Sequence, residues 1–192
     1  MVSQEQATKV CRNARQAISF LNGCGIKNDN RLEIRIVNRL SDDLVKDAFA
    51  AFFPKTNRIE VVSPDIQARM GAQTPVVRDL DPEIFWRSSV IHEVAQAMAW
   101  NYAKSNGVTL REVEVEYVAY SAQIASLPTE QKNVLLRKFQ DRDGIAVSEL
   151  DPLVLAIAPI IFGIKSFLHY NENQGGCSFL RKVMSGKSGM PP

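Results

Sequence analysis

The chain has 192 residues, 45% of them apolar and 23% charged, with a formal net charge of +2. That is an ordinary globular composition, long enough for one well-buried core and too short for two large ones. Lys and Arg are interspersed with Asp and Glu, which argues against a nucleic-acid footprint or a polybasic membrane anchor.

In chain order, Ser3-x-x-Gln6 is a capping box, and Val10, Ala14, Ala17, Ile18 and Leu21 recur at helical spacing. The first helix is expected from about residue 4 to Asn22, where Gly23 and Gly25 end it. Leu32, Ile34 and Ile36 alternate with Arg31, Glu33 and Arg35, the pattern of a half-buried strand. Ala48 to Phe53 and Arg58 to Ser63 flank Pro54-Lys55-Thr56-Asn57 and read as a hairpin. Residues 64–80 read as mostly irregular. Asp81-Pro82 then gives an N-cap followed by proline at the first helical position, opening a helix to about Ser105 before Asn106-Gly107.

Thr109-x-x-Glu112 reads as a second capping box, with its helix ending at Leu127-Pro128. Thr129 to Gln140 is a short amphipathic helix. Asp151-Pro152 repeats the cap-plus-proline signal, and the helix after it breaks near Pro159. The longest apolar run, Leu153 to Leu168, contains Pro159 and Lys165 and is short for a membrane span, so a buried helix pair is expected. Asn171 to Gly176 is a loop, Phe179 to Met184 a last helix, and 187–192 a frayed tail. The expected architecture is a single α+β domain over 1–192, with a small antiparallel or mixed sheet early and helices after it.

Three cysteines leave two readings open. Either Cys11 and Cys24 are bridged and Cys177 is free, or all three are reduced. Met1-Val2-Ser3-Gln4-Glu5 is not a signal peptide. The expected compartment is the cytoplasm, or the periplasm or medium for a processed mature form. The oligomeric state is not legible.

The chemistry-bearing pattern is His92-Glu93-Val94-Ala95-Gln96 on the long helix. Residues four apart share a helical face, so His92 and Gln96 point the same way, with Glu93 rotated by about 100°. With histidine at both ends, such a turn holds a zinc ion and its glutamate is general base for a water molecule. A second helix follows with Glu116 in Glu116-Tyr117-Val118-Ala119-Tyr120.

This pattern resembles the gluzincin branch of the zincin metallopeptidases. There, a His-Glu-x-x-His helix is followed by a helix supplying a glutamate as third ligand. The resemblance covers most of 30–185. The hairpin before the helix fits a zincin sheet edge, and residues 159–170, with Phe162 and His169, are similar to small, often exported bacterial proteins of this class. It implies a zincin-like fold and a zinc metallopeptidase acting on peptides, with His92, Gln96 and Glu116 as zinc ligands and Glu93 as general base. Gln96 departs from the pattern, because a neutral amide is a poorer zinc donor than imidazole. Three consequences stay open: zinc held weakly, metal lost with the cleft kept as a peptide- or protein-binding module, or His92 as a core histidine. His169 is either a replacement ligand or oxyanion donor, or a helix-terminal histidine favoured by the helix dipole. Tyr117 and Tyr120 carry hydroxyls that would polarise a carbonyl or simply pack in the core. Phe85, Trp86 and Trp100 read as core, and Arg87 as cleft-lining or solvated.

Overall fold

A computed structural model describes residues 3–27, 31–41, 48–75, 77–139, 144–172 and 176–192. The first helix, α1 (Gln4–Gly23), starts at the expected capping box, with Ser3 Oγ accepting from Gln6 N–H and Gln6 Oε1 accepting from Ser3 N–H, both at 3.1 Å. Strands β1 (Glu33–Val37), β2 (Ala50–Phe53) and β3 (Arg58–Val62) form a mixed sheet in the order β1-β3-β2. The hairpin is antiparallel, with Phe52 opposite Ile59, and β1 joins β3 in parallel with Ile34 opposite Ile59. Strand β2 is therefore a sheet edge. Asn57 completes the turn at φ 50°, a conformation that Asn tolerates better than most residues.

Residues 64–80 depart from expectation. Pro64–Ala72 is a helix, α2, with Pro64 at its first turn. Proline there loses no hydrogen bond, so it opens a helix rather than marking a loop. Gln67 of α2 is buried and donates through Nε2 to Ser89 Oγ at 2.9 Å.

The central element is α3 (Pro82–Ser105), capped as expected by Asp81, whose Oδ1 accepts from Ile84 N–H at 2.9 Å. It is buried on nearly every face. Trp86 is fully buried, and its indole N–H donates to Val62 O at 2.9 Å, tying the helix to the sheet. Alongside lies α4 (Glu112–Ala125). Ala95, Ala99 and Ala103 on α3 and Ala119 and Ala122 on α4 are buried, and such small side chains let two helix backbones approach. The cap of α4 is not Thr109-x-x-Glu112. Glu114 Oε2 accepts from Arg111 N–H at 2.9 Å instead, one position pair later.

Next come α5 (Thr129–Leu136), with a 3-10 turn over 137–139, then α6 (Pro152–Ile157), α7 (Pro159–Glu172) and α8 (Gly176–Met184). The break between α6 and α7 falls at Ala158, as Pro159 demands. Helix α7 runs through the start of the expected 171–176 loop, and α8 starts before Phe179. Gln140 and 173–175 lie outside the described residues. Leu153 and Ile157 of α6 are exposed rather than buried. Among the described residues, no helix is long and apolar enough to cross a membrane.

Two further expectations are corrected. The bridge is Cys24–Cys177, with Cα atoms 4.8 Å apart, and Cys11 is free and exposed. It joins the end of α1 to the start of α8 across 153 residues of sequence, a pairing that local spacing cannot reveal. The C-terminal segment is docked rather than frayed. Ser188 and Met190 are buried, the Ser188 hydroxyl donates to Glu114, and Arg111 donates to the carbonyls of Met190 and Pro191. Buried Glu114 thus organises both the helix start and the tail.

A loop this long gives the disulfide about 4–5 kcal/mol in the chain-entropy account. Cys24→Ser or Cys177→Ser should lower the melting temperature by about 10 °C or more, read by calorimetry. Cys11→Ser should leave it unchanged, and equal effects at all three positions would contradict the pairing.

Candidate functional site

The site forms where one face of α3 meets one face of α4. Ser88, His92 and Gln96 recur every four residues on α3, with Glu93 beside them. On α4, Glu112, Glu116, Tyr120 and Gln123 fall at spacings of four, four and three, again one face. The two rows interlock. His92 Nε2 lies 3.2 Å from Glu116 Oε2, and Gln96 Nε2 donates to Glu116 Oε1 at 2.5 Å. On its other side, His92 Nδ1 lies 3.0 Å from Gln123 Oε1, and Gln123 Nε2 donates to Ser88 Oγ at 3.2 Å. The Tyr120 ring stands edge-on to the imidazole, with centroids 4.5 Å apart.

All of these residues except Ser88 line a cavity of about 1130 Å³. Residues 48–52, which include the start of edge strand β2, form one wall. Pro152, Leu155 and Ala156 of α6 and Pro159 and Ile160 of α7 form another. The lining is largely apolar, so charges at its base are poorly solvated.

That burial governs the ionisation. It works against a charged imidazole at His92, but the adjacent Glu116 carboxylate outweighs it and lifts the pKa to about 9. Glu93 is pushed up to about 7, chiefly by burial and secondarily by repulsion from Glu116, while the charge on His92 and the N–H of Phe52 oppose the rise. The Phe52 contact matters for geometry too, because it ties the Glu93 carboxylate to β2. Burial also raises the Tyr120 phenol well above its ordinary value.

Of the residues expected from sequence, His92, Glu93, Gln96 and Glu116 come together here. His169 does not. It is buried beyond α4, where its Nδ1 lies 2.9 Å from the Tyr117 hydroxyl and its ring stands edge-on to Phe179. Tyr117 is fully buried with it, whereas Tyr120 faces the cavity. Phe85 lines the cavity, Trp86 is core, and Trp100 is exposed rather than core. Arg87 pairs with Glu83 at 3.3 Å and does not line the cavity. Glu112, assigned to a cap by spacing, is instead on the cavity wall. Sequence reasoning passed over Gln123 and Ser88. Gln123 was visible as the next residue on the Glu116–Tyr120 face, and Ser88 as the one a turn before His92.

The donor set can be tested against a zinc ion. Two donors each about 2.0–2.2 Å from a tetrahedral zinc stand about 3.3–3.6 Å apart, slightly more than the 3.2 Å between His92 Nε2 and Glu116 Oε2. Among the described residues, no three His, Cys, Asp or Glu side chains converge as a metal-binding group, so a zinc ion here would need the Gln96 amide as its third donor. Its oxygen and nitrogen exchange by a half-turn of the side chain. A zinc ion here would be held by one imidazole, one carboxylate and one weak amide oxygen.

The model of a family of unknown function, DUF6639, matches residues 2–190. The chain belongs to that family. No curated protein and no solved structure matches it.

In this DUF6639 member, two consequences can be measured. Folded His92 binds its proton more tightly than the unfolded chain does. Its stabilising contribution is therefore complete below the unfolded value of 6.5 and is lost as pH rises through about 9. The melting temperature of metal-free protein should fall across that interval, and His92→Gln should flatten the fall. An unchanged slope in the variant would contradict the His92–Glu116 pair. Separately, a Cβ at Gly163 of α7 would fall within the Tyr120 ring. Gly163→Ala should cost about 1–3 kcal/mol by overpacking and displace Tyr120 from His92. Denaturant melts and the His92 ring shifts report both effects, and an undisturbed ring would show that the glycine is not needed.

Proposed function

We propose that this chain is a zincin-like zinc metallopeptidase acting on peptides, with a site weakened at Gln96. The observation that carries the reading is the convergence of His92, Gln96 and Glu116 from two helices, with Glu93 adjacent, at the base of a cavity walled by an edge strand. The α+β architecture, with its edge strand beside the active-site helix, agrees with a zincin-like fold.

His92 Nε2 and the Glu116 carboxylate would hold the metal, with the Gln96 amide as the weak third donor. Zinc, when bound, supplies Lewis acidity toward a water molecule and a peptide carbonyl. Glu93, with a proton affinity near neutrality, takes the proton of the attacking water and returns it to the leaving amine. The Phe52 N–H keeps that carboxylate beside β2. An extended substrate lies along β2 and hydrogen-bonds to its open edge. The Tyr120 hydroxyl, which has no hydrogen-bond partner among the described residues, donates to the carbonyl oxygen as charge develops on it. The Cys24–Cys177 bridge supports an oxidising compartment, periplasmic or extracellular.

One observation favours a second reading, a non-catalytic module that binds a peptide or protein partner in the same cleft. Glu116 already satisfies both His92 and Gln96 without a metal. Metal analysis separates the two. The peptidase reading predicts near-stoichiometric zinc after incubation and dialysis, its loss in His92→Ala, and tighter zinc by about tenfold or more in Gln96→His. Folded Gln96→His protein that takes up no zinc would sink it and leave the binding module.

A further inference from the structure

We infer that Gln123 sets the hydrogen pattern of His92, and thereby decides whether Nε2 of that ring is able to hold a metal ion. Ser88, Gln123 and His92 form one buried row of donors and acceptors. Each is at most 9% exposed, so water does not substitute for its partners. Ser88 has a single hydroxyl hydrogen, and it is given to the Phe85 carbonyl at 2.8 Å. Toward Gln123, then, Ser88 Oγ is only an acceptor, and the amide nitrogen must face it at 3.2 Å. The amide oxygen is thereby turned to His92 Nδ1 at 3.0 Å. An oxygen there requires Nδ1 to carry hydrogen. The metal-free ring also donates from Nε2 to Glu116, so the hydrogen it gives up for a metal is the one on Nε2 while Nδ1 keeps its own.

The opposite amide orientation has the opposite result. The Gln123 nitrogen would donate to a bare Nδ1, the ring hydrogen would move to Nε2, and Nε2–H would point at Glu116. That ring is closed to metal. A neutral serine and a neutral glutamine, neither of them a ligand, thus select the metal-competent form. Gln123 is a positioning residue that acts through His92, and Ser88 positions Gln123 in turn. The hydrogen-pattern claim stands on these contacts alone, while its consequence for zinc rests on the peptidase reading.

The test uses the whole, metal-free protein with ¹⁵N-labelled histidine at a pH above about 9, where the His92 ring is neutral. Only two histidines are present, so His92 is assigned by its own substitution. The wild type should show a slowly exchanging ring hydrogen on Nδ1. Gln123→Met should lose it, Gln123→Glu should keep it, and Ser88→Ala should lose it while Ser88→Ala/Gln123→Glu regains it. A protected Nδ1 hydrogen in Gln123→Met, or a wild-type ring carrying its protected hydrogen only on Nε2, overturns the inference. The Ser88 pair keeps the test decisive if Gln123→Met fails to fold. Zinc titration gives the second readout. Gln123→Met and Ser88→Ala should bind zinc about 10–100-fold more weakly than wild type, with Gln123→Glu close to wild type. Wild-type protein that binds no zinc refutes the peptidase reading, and the NMR arm then still decides the role of Gln123.

Discussion

The structure turns on one buried contact, the pairing of His92 on α3 with Glu116 on α4. Both side chains sit at the base of a largely apolar cavity, and removing either would strand a buried charge, a change that typically costs about 3–5 kcal/mol. Small buried residues on both helices let their backbones pack closely, and Trp86 and Tyr117 are fully buried beside them. Each neighbouring feature depends on it. Glu93 is raised partly by Glu116, Gln96 bonds to the same carboxylate, and Gln123 and Tyr120 brace the imidazole from its other sides.

A hydrophobic core does not call for such a group of charges. Two apolar side chains of similar volume would commonly be as stable or more so. Holding an imidazole between a glutamine on Nδ1 and a carboxylate near Nε2, beside a carboxyl group poised near 7, is an arrangement suited to a cation and proton transfer. The substitution at Gln96 weakens the donor set without dispersing it, since the amide still reaches Glu116.

Local chemistry made much of this legible in the sequence. Ser3 with Gln6, Asp81 with Pro82, Asp151 with Pro152 and the turn before Arg58 signal their elements within a few residues, and each appears where those signals put it. Helical periodicity placed His92 and Gln96 on one face, and the gluzincin resemblance singled out Glu116 on the next helix, which stands beside both. What escaped depends on distant chain. Cys24 meets Cys177 only once α8 packs against α7, α3 and α4, which brings its start to the end of α1. The tail is held by Glu114 and Arg111, far away in sequence. Gln123 acquires meaning only when Ser88 and His92 stand opposite it. Helix α2 was hidden for another reason, because proline marks the start of a helix as readily as the middle of a loop.

The most direct test is a crystal grown with zinc and measured on both sides of the zinc absorption edge. The account predicts an anomalous peak about 2.0–2.2 Å from both His92 Nε2 and a Glu116 oxygen, with the Gln96 amide turned so that its oxygen faces the metal. A site with no peak at saturating zinc, the His92–Glu116 contact unbroken, would contradict it.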